Sequence, residues 1–373
     1  MIYLDNAATT LPKPVSVERA VCRAMQSMAS PGRGAHPPAM RAAETLFQCR
    51  SEAAELFHVP EAERVVFTMN ATHALNIAIR SKAHRGAKVL ISGFEHNSVT
   101  RPLADLGANI TVAGRKLFDR EDTLKEFQRE IPRAELVVCT HVSNVFGYIL
   151  PIDEIAEMCR KYKVPLIVDA SQSAGILDLD FQRLGAAFAA MPGHKALLGP
   201  QGTGILLCGE EGLPLMQGGS GSDSIPQHMP EYLPDRLEAG THNTTGVAGL
   251  LAGIRFVREK GPENIRRHER SLLELMLKEL ENEKTELFAA DASVQSGVLS
   301  LRVRGRSCED IADSLSQRGV CVRSGLHCAP TAHRSAGTLE TGTIRFSFSP
   351  FVTEAQVLSA CQILREIIFK ESL

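Results

Sequence analysis

A lysine in a short glycine-containing loop is the residue of this chain with the clearest chemical potential. Lys195 follows Gly193 and His194, and a glycine-rich turn over residues 198–204 comes directly after it. Burial and a neighbouring cation lower the pKa of a lysine, and the resulting neutral amine can form an imine with an aldehyde. Such motifs also occur in ordinary surface turns. Lys195 is therefore a candidate attachment point for an aldehyde cofactor.

An aspartate at the end of an apolar run could tune such a cofactor. Asp169 closes the run over residues 165–168, and Gln172 follows three residues later. A carboxylate there can pair with a protonated pyridine nitrogen, which keeps the ring cationic and makes it an electron sink. The alternative is a helix cap or a turn aspartate.

Residues 69–73, Met-Asn-Ala-Thr-His, could bind an anion, because they lie between a predicted strand and a helix expected to start near Thr72. The first amides of a helix attract negative charge, and Thr72 adds a hydroxyl. The alternative is a plain helix cap. Beside an imine-forming lysine, a phosphate is the natural ligand.

Two further loops follow predicted strands. His96 could stack on an aromatic ring, and Asn144 could donate a hydrogen bond to a phenolic oxygen of that ring. Each signal is weak alone, because loop histidines and turn asparagines are common.

Substrate chemistry is suggested by a cysteine in a Gly/Pro loop near the carboxyl-terminal end. Cys328 follows His327 directly and Arg323 by five residues. A nearby cation and loop exposure favour the nucleophilic thiolate. Arg345 lies in an alternating strand pattern, where its planar fork could bind a carboxylate with two hydrogen bonds. A surface salt bridge is the alternative for Arg345.

The elements that must position these residues alternate between short apolar strands and helices. Such strands indicate a mostly parallel sheet covered on both faces, with ligands bound at the carboxyl ends of its strands. The strand candidates are residues 65–68, 88–91, 136–139, 165–169 and 204–207.

The pattern changes near residue 250. Residues 209–234 are rich in Gly, Ser and Pro and predict a loop over the site, and residues 244–283 are mostly helical. Residues 297–303 alternate like a half-exposed strand. We therefore expect a large α/β domain over residues 1–250 and a smaller α+β domain over residues 251–373. Residues 1 to about 15 could pack on the smaller domain.

Composition narrows the function classes. The 373 residues carry a formal net charge of −2, and 44% are hydrophobic. This favours a small ligand over nucleic acid or an anionic membrane. The chain has nine cysteines with no C-x-x-C pair, no basic and apolar leader and no apolar run of membrane-spanning length. We expect a cytoplasmic protein with free thiols and no metal.

The pieces together resemble the class V aminotransferase group of fold-type I pyridoxal-phosphate enzymes, and within it the cysteine desulfurase and selenocysteine lyase family. The likeness spans nearly the whole chain and favours the branch with a short catalytic loop. The matching motifs are Asp5-Asn6-Ala7-Ala8, Glu95-His96, Ser143-Asn144, Asp169 with Gln172, His194-Lys195, the Gly-Thr-His-Asn-Thr run at residues 240–244, and Arg323 through Cys328.

The resemblance implies a large domain with a mostly parallel seven-stranded sheet and a smaller carboxyl-terminal α+β domain. It also implies that pyridoxal 5′-phosphate is bound covalently by Lys195. The other implied cofactor contacts are Asp169 at the pyridinium nitrogen, His96 stacked on the ring, Asn144 and Gln172 at the 3-oxygen, Ala71, Thr72 and His194 at the phosphate, and Thr241 at the phosphate of a neighbouring subunit in a homodimer.

On the substrate side, the resemblance implies that Arg345, with Asn144 and Arg323 nearby, binds an α-carboxylate, and that Cys328 is the nucleophile. The implied reaction converts L-cysteine into L-alanine and leaves a persulfide on Cys328, which a protein acceptor then takes. Selenocysteine is a possible second substrate.

Two alternatives remain open on the sequence alone. One is a cysteine or cystine C–S lyase or epimerase on the same scaffold, and the more remote one is a non-catalytic sulfur-relay scaffold. Pro192, Leu326 and His73 depart from the family pattern at positions near the phosphate, the nucleophile and the helix start. Pro192 offers no side-chain or backbone donor.

Overall fold

A computed structural model describes residues 1–32, 34–222 and 224–370, with the side chain of residue 370 left out. The strands are β1 (Ile2–Tyr3), β2 (Val65–Thr68), β3 (Lys88–Ser92), β4 (Asn109–Ala113), β5 (Leu136–Thr140), β6 (Leu166–Asp169), β7 (Phe188–Pro192), β8 (Gly204–Cys208), β9 (Thr285–Phe288), β10 (Val298–Val303), β11 (Val320–Cys321), β12 (Arg323–Gly325) and β13 (Thr343–Ser347).

Helices separate most of these strands. They are α1 (Val15–Ser27), α2 (Pro37–Leu56), α3 (Ala71–Lys82), α4 (Asn97–Asp105), α5 (Arg120–Glu130), α6 (Ile152–Tyr162), α7 (Phe181–Leu184), α8 (Thr244–Lys260), α9 (Pro262–Leu280), α10 (Cys308–Gln317), α11 (Pro330–Ser335) and α12 (Glu354–Lys370). None of the described helices has both the length and the apolar composition that crossing a membrane requires.

The central sheet has seven strands in the order β2-β8-β7-β6-β5-β3-β4. The five strands from β3 to β7 are all parallel to one another. Strand β8 runs antiparallel to both of its neighbours, β2 and β7. Both faces are covered: in β6, Leu166 and Val168 belong to one buried cluster and Ile167 to another. The predicted mostly parallel sheet is confirmed, and its register aligns the carboxyl ends of β5, β6 and β7.

A second, antiparallel sheet has the order β12-β13-β10-β9. Its own buried cluster includes Leu4, because β1 pairs with β11 and carries the start of the chain onto this part of the molecule. Helix α8 is continuous across residue 250. The division into domains at that residue stays a prediction.

Strand β10 does not have the half-exposed character expected from its alternation. Leu299 and Leu301 pack into the cluster of the second sheet. The opposite face is buried too, because the Ser300 hydroxyl donates to the Val145 carbonyl at 2.6 Å. The alternation reflects two different buried surroundings, and the prediction of a solvent face was wrong.

Candidate active site

A cavity of about 180 Å³ lies at the carboxyl ends of the central strands. Its walls are the segments that follow five strands: residues 70–72 after β2, residues 96 and 98 after β3, residues 140–144 at β5, residues 169–172 at β6 and residues 192–195 at β7. Eight of the predicted cofactor contacts line it: Ala71, Thr72, His96, Asn144, Asp169, Gln172, His194 and Lys195. The strand register brings these sequence-distant loops together.

Lys195 presents its amine to this cavity from a restrained loop. Its carbonyl accepts hydrogen bonds from the Thr10 hydroxyl at 2.8 Å and from the Leu198 amide at 2.9 Å. Burial lowers the pKa of Lys195 to about 8, with Asp169 opposing the shift and Arg345 adding to it. About a tenth of the amine is therefore in the neutral, nucleophilic form at pH 7, far more than for an exposed lysine.

Asp169 is the buried carboxylate of the cavity, with 3% of its surface exposed. Its Oδ1 accepts a hydrogen bond from the Ser171 amide at 2.9 Å. The same charge acts on both Lys195 and His96, whose pKa values it raises against the effect of burial. A single anion thus faces two basic groups across the cavity.

His96 caps the amino terminus of α4, where its Nδ1 accepts from the Ser98 amide at 3.1 Å. Burial, with Lys195 and Arg345 adding to its effect and Asp169 opposing it, lowers the pKa of His96 to about 4. The ring is therefore neutral near pH 7, with its proton on Nε2. A neutral flat ring is suited to stacking against another aromatic ring.

Ser98 is a cavity residue to which the sequence analysis gave no role. Its hydroxyl lies 2.9 Å from His96 Nδ1 and 2.8 Å from the Thr72 hydroxyl. It therefore links the ring-stacking candidate to the anion-binding candidate. The one available signal was its position two residues after a helix-capping histidine.

The predicted anion site lies at the start of α3, which begins at Ala71. The Asn70 side chain accepts from the His73 amide at 2.9 Å, and the preceding amides of the first turn have no partner within the helix. His194 borders the same cavity, and its buried Nδ1 has no hydrogen-bond partner. Burial lowers the pKa of His194 to about 4. Pro192 is buried in β7.

Gln172 and Asn144 each make a hydrogen bond to the protein. Gln172 Nε2 donates to the Ala7 carbonyl at 3.0 Å, and Asn144 Nδ2 donates to the His327 carbonyl at 2.8 Å. These bonds fix both amide side chains on the cavity wall. Asn144 also connects that wall to the loop of the candidate nucleophile.

Cys328 is exposed on this loop and does not line the cavity. His327 and Cys328 both have a left-handed backbone, with φ of 47° and 56°. Such angles are uncommon for residues other than glycine. The Cys328 carbonyl accepts from the Asn97 amide at 2.8 Å. Two consecutive carbonyls are thus tied to loops that follow strands of the central sheet, and Leu326 is exposed beside them.

Of the two basic neighbours of Cys328 in the sequence, His327 is not a cation. His327 is buried, and its Nε2 lies 3.2 Å from the Thr343 carbonyl. Burial, with Arg345 adding to the effect, holds the pKa of His327 well below its usual range, so that the ring is neutral. Arg323, exposed on β12, is a cation that acts on this region.

Arg345 lies in β13, the strand that the alternating pattern indicates, and is buried, with 2% of its surface exposed. Its Nη2 donates to Asp5 Oδ1 at 2.7 Å and its Nη1 to the Asn144 carbonyl at 2.9 Å. Nε is buried without a partner. The alternative of a salt bridge at the surface is therefore wrong, although the arginine is ion-paired. It is not among the residues that line the cavity.

Thr241 lies apart from this cavity. It is exposed and borders a separate cavity with His73, Glu238 and other residues. Glu238 is ion-paired to Arg50 at 2.5 Å and anchors this loop. The described residues of the 209–234 segment do not line the candidate active site either, contrary to the expectation of a covering loop.

The sheet and its lysine-bearing cavity define an α/β enzyme whose reactive groups are gathered at the carboxyl ends of parallel strands. Residues 2–359 match the family model of aminotransferase class-V. The chain belongs to this family.

Similar proteins include a probable cysteine desulfurase of Methanothermobacter thermautotrophicus, 32% identical over 98% of this chain and 94% of that protein. A probable cysteine desulfurase of Pyrococcus abyssi is 30% identical over 99% of this chain and 94% of that protein. Among solved structures, the apo cysteine desulfurase of Thermococcus onnurineus has a TM-score of 0.92 at 29% identity, covering 100% of this chain and 95% of that one. The Escherichia coli cysteine desulfurase CsdA, in an S-sulfonic acid form, has a TM-score of 0.87 at 26% identity, covering 98% and 94%.

Proposed function

We propose that this chain is a pyridoxal-phosphate-dependent cysteine desulfurase that converts L-cysteine into L-alanine and leaves the sulfur as a persulfide on Cys328. One observation carries the proposal. The exposed Cys328 loop is hydrogen-bonded, through Asn144 and Asn97, to the walls of a cavity that holds Lys195. We therefore assign the nucleophilic sulfur of Cys328 and the imine-forming amine of Lys195 to the same active site. The desulfurase names of the similar proteins support the same reaction.

The cavity fits pyridoxal 5′-phosphate in its donor set. Lys195 would bind the aldehyde, Asp169 the pyridine nitrogen and His96 the ring face. Ala71, Thr72 and His194 would hold the phosphate, for which the unpartnered buried Nδ1 of His194 is the supporting observation. Asn144 and Gln172 would contact the 3-oxygen. When bound, the cofactor supplies an electron sink for negative charge at the substrate α-carbon.

Lys195 moves the protons in this proposal. With its pKa lowered to about 8, the amine can take the α-proton when neutral and return a proton when charged. Asp169 would pair with the protonated pyridine nitrogen and stabilise its charge. Arg345, with Asn144 and Arg323 nearby, binds and orients the α-carboxylate of the substrate.

Cys328 performs the sulfur step. Its thiolate attacks the substrate sulfur, so that an S–S bond forms and the Cβ–S bond breaks. The electron pair of the broken bond stays with Cβ, which takes up a proton and becomes the methyl group of alanine. The exposure of Cys328 then leaves the persulfide open to an acceptor.

Further assignments belong to the same proposal. Thr241 is exposed and lies outside the cavity of its own chain, which supports a role toward the phosphate site of a second copy in a homodimer. We propose a protein as the sulfur acceptor, selenocysteine as a second substrate and the cytoplasm as the location.

The test is a product analysis of the holoenzyme with L-cysteine and a thiol reductant. Alanine and sulfide are expected in equal amounts, and L-selenocysteine should give alanine and selenide. Pyruvate and ammonia as the main products would contradict the proposal and indicate a C–S lyase instead.

A further inference from the structure

The contact between Asp5 and Arg345 has a consequence for substrate affinity. Asp5 Oδ1 accepts from Arg345 Nη2 at 2.7 Å. The arginine side chain is 2% exposed, whereas the aspartate side chain is 19% exposed. The group proposed to bind the α-carboxylate of the substrate thus already holds a carboxylate of its own chain.

The two partners differ in freedom to move. Arg345 lies within β13, between β10 and β12, and its Nη1 is bonded to the Asn144 carbonyl. The Asp5 main chain is also fixed, because Asp5 bridges to Ser347 and the Ala7 amide donates to the Ser347 hydroxyl at 2.8 Å. Only the short Asp5 side chain has a route to solvent. It is therefore the partner that can leave.

We propose that Asp5 sets the substrate affinity of the site, because its carboxylate occupies Arg345 in the free enzyme and competes with the α-carboxylate of the substrate. The inference rests on the proposed function and extends it to the strength of ligand binding. A carboxylate attached to the chain is always present at the arginine, so a free carboxylic acid must displace it without help. An amino acid, whose amine is bound at the Lys195 end, brings its carboxylate to the arginine at a high effective concentration. Asp5 thus lowers the affinity of every ligand carboxylate for the arginine, and an amino acid keeps useful affinity because its amine is bound as well.

An orienting role for Asp5 predicts the opposite sign. If Asp5 only held the guanidinium in place, its removal would weaken carboxylate binding, because a misplaced fork loses bidentate geometry. If Asp5 competes, removing its charge strengthens carboxylate binding. The sign of one measurement separates the two roles.

The experiment compares the wild-type holoenzyme with D5N, which keeps the shape and a hydrogen-bond acceptor but lacks the charge. Calorimetric titration with L-alanine is expected to give a dissociation constant lower by about three- to ten-fold in D5N. A factor of ten in this constant is about 1.4 kcal/mol, and a partly exposed ion pair contributes about that amount or less. Ethylamine, which has no carboxylate, should bind equally to both proteins, and propanoate should gain affinity in D5N.

Controls separate this result from a general effect. D105N removes a carboxylate from an exposed ion pair with Arg80 and should leave L-alanine binding unchanged. D5S serves if D5N does not fold, with the melting temperature of each variant recorded. An unchanged or higher dissociation constant in the Asp5 variants, or no L-alanine binding to any of the proteins, would overturn the proposal.

Failure of the proposed function is visible separately. Wild-type enzyme that makes pyruvate from L-cysteine refutes the desulfurase assignment but leaves the L-alanine comparison readable, because alanine binding requires no sulfur chemistry. With L-cysteine as substrate, D5N should lower KM while kcat changes by less than about two-fold, as expected for a change in ground-state competition.

Discussion

The cavity wall and the Cys328 loop are two regions built in opposite ways. The wall gathers Lys195, Asp169 and His96 at the ends of buried parallel strands, where burial and mutual charges change the pKa values of the basic groups. The loop leaves its sulfur exposed and is held instead by two carbonyls bonded to Asn144 and Asn97. The reactivity of the wall residues therefore depends on burial and neighbouring charges, whereas the position of the Cys328 thiol depends on backbone hydrogen bonds.

This difference separates what variants of each region should change. A wall variant is expected to alter the bound cofactor and every later step. A loop variant is expected to alter sulfur transfer while the cofactor remains bound as before.

The largest effect is expected from K195A in the wall. Without the amine, proton transfer at the α-carbon loses its base, and alanine formation should fall by more than about a thousandfold. Chromatographic analysis of alanine from L-cysteine measures the loss. The control K161A, on the surface of α6, should retain activity, and substantial turnover by K195A would mean that another group moves the proton.

The next largest effect is expected from C328A in the loop. Removing the nucleophile should lower sulfide release by at least about a hundredfold, while the visible absorption of bound pyridoxal phosphate stays unchanged. A sulfide assay tests the loss of sulfide release, and an absorption spectrum of the same sample tests whether the cofactor is still bound in the same way. The matched control is C22A, since Cys22 is also exposed but lies on α1. A change in the absorption spectrum of C328A would mean that the loop also affects the bound cofactor, contrary to the proposed difference between wall and loop.

A smaller effect concerns stability and pH. Burial lowers the pKa of His141, next to Thr140 on the wall, to about 3. The folded protein keeps this histidine neutral, whereas the unfolded chain binds a proton as the pH falls through about 6.5, so its contribution to stability is present above that pH and lost below it. Between pH 7.5 and pH 5, this group should remove about 2 kcal/mol from the free energy of unfolding.

Urea unfolding of wild type and H141Q at both pH values measures this contribution, because the glutamine cannot titrate. The variant should lose less stability on acidification than the wild type. H84Q, at an exposed histidine, should behave like the wild type. Equal losses in wild type and H141Q would mean that His141 is not neutral in the folded protein.

The smallest effect is expected from S98A. Loss of the hydroxyl that links His96 to Thr72 removes about 1 kcal/mol of hydrogen bonding, which weakens cofactor binding by about five-fold. Titration of the apoprotein with pyridoxal phosphate measures this affinity. S271A, on the exposed side of α9, is the matched control. Equal cofactor affinities in S98A and S271A would mean that Ser98 does not contribute to cofactor binding.

The sequence allowed the wall to be predicted better than the loop. Asp169 ends one predicted strand and His96 follows another, and the alignment of parallel strand ends brings such residues together whatever their separation along the chain. Lys195 follows β7, which was not among the predicted strands, and was found from its loop motif instead. The mostly parallel sheet follows from the same alternation, whereas its seven strands were implied by the family resemblance, because the pattern did not indicate β4 and β7. No local pattern of this kind describes the surroundings of His327, so its burial and neutrality could not be read from its position beside Cys328.

Arg345 shows a second reason for the errors. Its strand alternates as expected, but both faces are covered, one by the cluster of the second sheet and the other by residues that precede it by hundreds of positions. Its partner Asp5 is 340 residues away in sequence. Pairings over such separations depend on how the two parts of the chain pack, which local residue patterns do not specify.

The two hydrogen bonds to the carbonyls of residues 327 and 328 also bear on the proposed sulfur transfer. Because these consecutive carbonyls are bonded to Asn144 and Asn97, the Cys328 loop cannot move outward without first breaking both hydrogen bonds. We therefore expect the proposed persulfide to be collected at the position where Cys328 lies on the surface, by an acceptor that approaches the exposed Leu326 and Arg323.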